Sequence, residues 1–398
     1  MTAGRDLLTD LWRRYLGDEN APADMLKHSP TRVVFGLGAL TEVGALAKGE
    51  GASRVLLVTD EGIQSAGHVD RAVESLERAG LNVTVFDGVC ENPTTEHVMA
   101  GVEVAQARSI DFIVVLGGGS ATDCAKGINL IVTNGGSVVD YRGVNKASRP
   151  MLPSIAVPTT AGTGSEAQSF ALICDPTTYE KMVCGDTRPP SEGGLRPRTA
   201  VLDPLLTASQ PARVAAASGM DAIAHAVETA GTTKRHALSR SFSRAAWRLL
   251  SEAYEPAMRD PSDDDARARM LLGAHLAGIA IEQSMLGAAH TCANPLTARV
   301  GLAHGAAVGL MLPHVVRFNA ANGNNPYAEI MGDAEELART IEGFLEAGHL
   351  PKCLAQCGVD GGILQELAQS AATQWTASFN PRPVDEAALL EIYRAAYS

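Results

Sequence analysis

An aspartate and a histidine stand one helical turn apart in Gly219-Met220-Asp221-Ala222-Ile223-Ala224-His225, and His290 and His304 follow downstream. Residues i and i+4 of an α-helix share a face, with Cβ atoms roughly 5–6 Å apart, so Asp221 and His225 can grip one ion together. A hard carboxylate oxygen with borderline imidazole nitrogens suits a divalent first-row metal such as iron(II) or zinc, with a position left for substrate. A single histidine in a helical stretch is ordinarily a core or surface residue. Four ligand-type residues in these contexts make metal binding the stronger reading. His290 ends Gly287-Ala288-Ala289-His290, ahead of Asn294-Pro295-Leu296, and His304 lies in Ala303-His304-Gly305. Pro295 and Gly301 argue against one unbroken helix through both, because proline removes a helix hydrogen bond and clashes with the preceding turn. The expectation is that His290 ends one helix and His304 opens the next, both facing Asp221 and His225.

A second signal lies upstream. Phe112-Ile113-Val114-Val115-Leu116 is an apolar, β-branched run of the kind that forms a buried parallel strand. It leads into Gly117-Gly118-Gly119-Ser120-Ala121-Thr122-Asp123-Cys124-Ala125-Lys126. Glycines permit positive φ and close approach of a ligand, and a helix start offers amides and partial positive charge to a pyrophosphate. Ser120 and Asp123 also match a capping box for that helix, and both roles are expected together. In the usual dinucleotide fold the ribose-binding acid follows the glycines by about 20 residues, whereas here the candidate comes earlier. The candidate is instead Asp60, after the strand Val55-Leu56-Leu57-Val58. A carboxylate there would accept from a ribose 2′-hydroxyl and repel a 2′-phosphate, favouring NAD; a helix N-cap or turn role stays open beside it.

Together these residues resemble the iron-containing (group III) alcohol dehydrogenase family over nearly the whole chain. The motifs are Gly117 to Lys126, Pro158-Thr159-Thr160-Ala161-Gly162-Thr163-Gly164-Ser165-Glu166, the Asp221 to His225 helix, His290 and His304, and Asn380-Pro381-Arg382-Pro383. The resemblance implies that Asp221, His225, His290 and His304 are the metal ligands, for iron(II) with zinc possible. It implies NAD as cofactor, with Asp60 selecting it through the adenosine ribose. Gly117, Gly118, Gly119 and Ser120, with Asp123 nearby, match the pyrophosphate loop. Thr159, Thr160 and Thr163 look like cofactor-contacting threonines, and Lys181 falls where the family places a lysine near the nicotinamide-side ribose. One departure stands out. The family has a further histidine four residues after the first C-terminal ligand, and this chain has Asn294, which hydrogen-bonds but carries no proton near neutral pH.

The implied reaction is metal-assisted hydride transfer between a nicotinamide and a small alcohol or aldehyde. A functionalised substrate bearing a phosphonate or carboxylate fits the altered position 294, with Phe170 and Ile281 as further pocket candidates. The dehydroquinate synthase-like enzymes, which use NAD and zinc for elimination and cyclisation, share the architecture and are one alternative. A non-catalytic, metal-bound relative is another.

The elements that must position these residues fall into two halves. Residues 33–35, 54–59, 82–87, 112–116 and 154–157 read as strands alternating with helices, and Ala200-Val201-Leu202-Asp203-Pro204 closes the first half. Residues 1–204 are therefore expected to form an α/β dinucleotide-binding domain, a parallel sheet with helices on both faces. An N-terminal extension over 1–30 carries an amphipathic helix at 6–16, and the Pro/Gly-rich stretch 185–197 reads as a surface loop. Residues 205–398, rich in alanine at helical spacing, are expected to form an all-helical metal-binding and substrate domain in a dehydroquinate synthase-like architecture. The active site is expected in the interdomain cleft. The net charge of −12 argues against nucleic acid or an anionic membrane as a partner. No apolar run is long enough to span a bilayer, and the N-terminus lacks the apolar core of a signal peptide. Seven cysteines without disulfide or zinc spacing fit buried, reduced thiols in a cytoplasmic enzyme. The family resemblance implies a homodimer or larger homo-oligomer.

Overall fold

The computed structural model describes residues 31–177, 180–321 and 323–398; the helix expected at 6–16 lies outside them. Two compact units result. The first comprises residues up to Thr160 together with Ser165–Ser209, and the second comprises Ala161–Gly164 and Gln210–Ser398.

The first unit is built on a six-stranded parallel sheet. Its strands are β1 (Arg32–Phe35), β2 (Arg54–Val58), β3 (Asn82–Phe86), β4 (Phe112–Gly117), β6 (Ser154–Pro158) and β9 (Thr199–Leu202), in the spatial order β1-β9-β6-β4-β2-β3. Side chains alternate across a strand, so each central strand feeds two cores. Val55, Leu57, Val114, Leu116, Ile155 and Val157 pack with Leu46 of α1 (Val43–Gly49) and Leu76 of α3 (His68–Arg78). Leu56, Val58, Ile113, Val115 and Ala156 pack instead with Val98 and Val102 of α4 (Thr95–Ala107) and Ile128 of α5 (Gly119–Asn134). A short helix α2 (Glu61–Ser65) follows β2. The continuous apolar runs of β2, β4 and β6 follow directly from burial on both faces.

A second, three-stranded sheet was not anticipated. It joins β5 (Gly143–Val144), β7 (Phe170–Cys174) and β8 (Lys181–Gly185), with β8 between the other two. Nor is 185–197 a surface loop: Gly193, Gly194, Leu195, Arg196 and Pro197 are all buried. Gly194 lies so close to the Arg188 carbonyl that a Cβ would sit 1.8 Å from it. Glycine here lets the chain fold back onto itself, which the sequence pattern alone reads as looseness.

Lys126 of α5 ties this region together. Its buried ammonium donates to the Ser165 carbonyl (2.7 Å), the Ser165 hydroxyl (2.9 Å) and the Phe170 carbonyl (2.7 Å). Ser165 in turn donates to Asp123 at 2.8 Å. Breaking a buried, charge-assisted network by removing one partner costs about 3 kcal/mol or more. Lys126→Met is accordingly expected to lower the thermal midpoint by several degrees, measured by calorimetry; a midpoint equal to wild type would refute the structural role.

The second unit is helical, with α6 (Ala212–Gly231), α7 (Ala237–Arg259), α8 (Asp264–Gln283), α9 (Ala288–Val300), α10 (His304–Ala320), α11 (Ala334–Ala347), α12 (Leu364–Ala372) and α13 (Glu386–Ala395). Helix α6 is buried almost throughout from Ala216 to Gly231. Small residues make that possible: a Cβ on Gly219 would come within 2.7 Å of the Tyr254 ring of α7. Asp263 caps α8, accepting from the amides of Asp265 and Ala266 at 3.0 Å each. No helix of the described residues is long and apolar enough to cross a membrane.

Candidate metal centre and dinucleotide loop

In the first unit β4 ends at Gly117 and α5 begins at Gly119, with Gly118 as N-cap. None of the three glycines adopts positive φ, so the expected conformational reason does not hold; at Gly117 and Gly118 the reason is the close approach of neighbouring side chains. A Cβ on Gly117 would lie 2.6 Å from that of Ala121, and one on Gly118 would lie 3.2 Å from the Thr160 side chain. The expected capping box is absent because the helix starts before Ser120. Ser120 Oγ instead accepts from the Asn92 amide at 3.3 Å, while Asp123 accepts from Ser165. Burial raises the Asp123 carboxyl above its ordinary range, against the pull of Lys126 and Lys181. Lys181 is the first residue of β8, paired with Cys174 of β7.

Asp60 plays the structural part left open for it. As N-cap of α2 its Oδ1 accepts from the Ile63 amide at 3.0 Å. Its Oδ2 lies 3.4 Å from where a Gly117 Cβ would stand, so one carboxylate oxygen faces the glycine loop. Thr159 donates its amide to the Gly117 carbonyl at 3.1 Å, and Thr160 overlies Gly118. Thr163 belongs to the second unit, in the segment Ala161–Gly164. There a Cβ on Gly162 would lie 2.8 Å from the Ser218 Cβ, and one on Gly164 2.6 Å from the Gly278 Cα.

The second unit assembles the ligand-type residues. Asp221 and His225 lie on one face of α6, His290 in the first turn of α9, and His304 at the first position of α10. His290 thus opens a helix rather than ending one, and α9 runs through Pro295. One lost helix bond costs about 3 kcal/mol, and burial of Ala289, Cys292, Ala293 and Leu296 along the same helix outweighs it. The break falls at Gly301, which caps α9 with φ 72°. Gly305 then lets α10 meet α6, since a Cβ there would lie 2.0 Å from the Ala217 carbonyl.

Asp221 Oδ1 is the hub. It lies 3.4 Å from His225 Nε2, 3.4 Å from His290 Nε2 and 3.8 Å from His304 Nε2. Ligands roughly 2.1 Å from a tetrahedral ion sit roughly 3.4 Å apart, so this spacing fits a first-row metal. Asp221, His290 and His304 form one group with ligand atoms within 4.8 Å of one another. His225 falls outside that mutually close set, although it borders Asp221 and stacks on His290 with centroids 4.8 Å apart. Asp221 Oδ1 and His290 Nε2 are buried with no hydrogen-bond partner. Such orphans are rare without an ion or water to satisfy them.

The buried carboxylates and imidazoles shift one another's protonation. Burial would raise the Asp221 carboxyl, but His225, His304 and His290 hold it well below the usual carboxylate range. Burial pulls His225 down to about 4 despite Asp221. Burial would also lower His290, yet the Glu228 and Asp221 carboxylates raise it to about 9.

Glu228 was not anticipated from sequence. Its Oε2 lies 2.5 Å from His290 Nδ1, and its Oε1 accepts from the Ala289 amide at 2.7 Å. It orients His290 so that Nε2 turns to the hub, as carboxylate–histidine pairs do at metal sites. The signal was present: Glu228 stands seven residues after Asp221, on the same helical face. Asn380 of the closing motif contributes similarly, its Oδ1 accepting from the Ala288 amide at 3.2 Å. Asn294 sits one turn beyond His290, and its side-chain amide donates to Gln374 Oε1 at 3.1 Å. Cys292 is fully buried and its thiol is pushed up by that burial, which keeps it an inert thiol beside the centre. All seven cysteines are unpaired, and Cys90 is exposed, unlike the buried thiols expected.

Two family profiles match the chain: "Iron-containing alcohol dehydrogenase" over residues 30–204 and "Fe-containing alcohol dehydrogenase family, C-terminal" over residues 215–397. The chain is 35% identical over 378 residues to the 1,3-propanediol dehydrogenase of Citrobacter freundii, covering 91% of this chain and 96% of that one. It is 32% identical over 366 residues to the NAD-dependent methanol dehydrogenase of Bacillus methanolicus, covering 89% and 94%. Among solved structures it resembles the sulfoacetaldehyde reductase from Bifidobacterium kashiwanohense in complex with NAD+. That likeness has a TM-score of 0.83 at 26% identity and covers 93% of this chain and 98% of that one.

Proposed function

Since the chain belongs to the iron-containing alcohol dehydrogenase family, we propose that it interconverts a short, functionalised aldehyde and its alcohol, using NAD(H) in preference to NADP(H). It is an oxidoreductase acting on CH–OH groups, with iron and NAD as its cofactors. The observation that carries the reading of the site is the Asp221 oxygen facing three imidazole nitrogens while lacking any hydrogen bond.

In this reading Asp221, His225, His290 and His304 hold the metal, and residues 1–204 supply the dinucleotide site through the glycine loop, Ser120, Asp123, Thr159, Thr160 and Lys181. Thr163 completes the set of cofactor threonines. When bound, the metal supplies Lewis acidity toward a carbonyl or alkoxide oxygen and the nicotinamide supplies the hydride. Glu228 keeps the His290 proton on Nδ1 and the Nε2 lone pair toward the hub. Asp60 Oδ2 accepts from the ribose 2′-hydroxyl, and its charge disfavours a 2′-phosphate. Asn294 hydrogen-bonds near the reacting centre but passes no proton, so the proton required by the substrate oxygen would come from water, a ribose hydroxyl or a side chain not yet identified. A phosphonate or carboxylate on the substrate is part of the proposal. So are homo-oligomerisation and a cytoplasmic location, which rest on the family resemblance and the unpaired cysteines.

The test is NADH oxidation by metal-depleted protein with iron(II) or zinc added back, over short neutral, acidic and phosphonate-bearing aldehydes. Metal-dependent turnover on one class supports the reading; none on any class removes it. Replacing Asp60 by serine removes the charge that repels a 2′-phosphate while keeping a capping oxygen. The ratio of kcat/KM for NADPH to that for NADH is expected to rise about tenfold, the effect of roughly 1.4 kcal/mol. An unchanged ratio would assign Asp60 to helix capping alone.

A further inference from the structure

We propose that Asn294 and Gln374 form a subsite that holds an oxyanion at the non-reacting end of the substrate. The proposal rests on the aldehyde-reductase reading and names the chemistry that selects among aldehydes. Asn294 follows His290 by four residues in α9, which puts it on the same helical face with Cβ atoms roughly 5–6 Å apart. That is the reach of a short substrate whose other end sits at the metal ligands.

The pair's hydrogen-bond count favours acceptors. Two primary amides carry four N–H groups and two oxygens. The Asn294–Gln374 bond, 3.1 Å long, consumes one N–H and engages one oxygen. Three N–H groups and one uncommitted oxygen remain, whichever way round either amide is assigned. Both residues are only partly buried, so these groups stay within reach of a ligand. The head is rich in donors and neutral at every ordinary pH.

Its surroundings point the same way. Gln374 lines an open groove with Thr233, Trp375, Phe379 and Pro381, and no aspartate or glutamate lines it. In a chain of net charge −12, a groove without an acid spares an anion the repulsion met elsewhere. Lys234, beside the lining residue Thr233, places a cation over the ring of the lining residue Phe379, with Nζ 4.4 Å from its centroid. Hydrogen bonds to an ionised acceptor are roughly twice as strong as neutral ones, so these donors gain most from a carboxylate, sulfonate or phosphonate.

The experiment uses the metal-loaded full chain and matched substrates: 4-oxobutanoate against its methyl ester, and 2-oxoethylphosphonate against its dimethyl ester. Wild type is expected to favour the oxyanion member of at least one pair by about tenfold in kcat/KM, the value expected of one charge-assisted contact. The favoured pair distinguishes carboxylate from phosphonate. Gln374→Glu replaces two donors by a carboxylate and is expected to lower that preference by about tenfold or more, chiefly through KM. Should that variant misfold, inhibition of wild type by propanoate against propanamide reads the same preference. Ester favoured over acid in both pairs, an undiminished preference in folded Gln374→Glu, or propanamide inhibiting as well as propanoate each overturns the subsite. Turnover without preference overturns it while leaving the dehydrogenase reading intact; no metal-dependent turnover on any of the four overturns both.

Discussion

Asp221→Asn is expected to lose bound metal and to lower kcat/KM for aldehyde reduction by about a thousandfold or more. The substitution keeps shape and volume but removes the one negative charge among the metal-facing atoms, at the oxygen that lies 3.4 Å from two imidazole nitrogens. Lewis-acid stabilisation of a developing alkoxide is worth several kcal/mol, and about 4 kcal/mol corresponds to a factor of about a thousand. The fold should survive, since α6 packs through Met220, Ile223, Ala224 and Val227 on either side of the carboxylate. Metal content by elemental analysis, measured beside activity, separates the cases. A variant that keeps one metal per chain and works within tenfold of wild type would show that Asp221 is not a ligand.

Glu228→Gln should weaken metal binding by about 10–100-fold, the usual cost of losing a carboxylate behind a ligating histidine. Its Oε1 contact to the Ala289 amide can be kept by the glutamine oxygen, so α9 stays in place. What is lost is the charge that raises His290 and fixes its proton on Nδ1. Activity at saturating metal is expected to fall less than affinity does. Competition with a chelator of known strength measures this directly. Wild-type affinity in the variant would reduce Glu228 to a helix cap.

These two residues also mark how far the sequence could be read. Asp221 and His225 were legible because their i, i+4 pairing came together with two further histidines, His290 and His304, in matching contexts. Glu228 was not, because a lone glutamate in a helix is normally solvated; its place on the Asp221 face is a weak signal until burial at 4% exposure shows that it needs a partner. Strands β2, β4 and β6 announced themselves as continuous apolar runs, since both their faces are covered. Strands β7 and β8 are five residues each and gain their shape by pairing with each other, which periodicity does not report. The turn at Gly117 and Gly118 falls between strand and helix as expected, but for a partly different reason, because a glycine demanded by a neighbour's bulk looks the same in sequence as one demanded by φ. Pro295 misled similarly: a breaker's local cost is visible in the sequence, and the packing that offsets it is not.

The membership of Ala161–Gly164 in the second unit bears on how this protein can be recombined. Gly164, at φ +60°, fits against the backbone of Ala274 and Gly278 so closely that no Cβ can stand between them. A chimera joined at residue 209 would inherit its C-terminal half from one parent and these four residues from the other. The natural exchange module is therefore discontinuous in the gene, and a functional graft must transplant 161–164 along with residues 210–398.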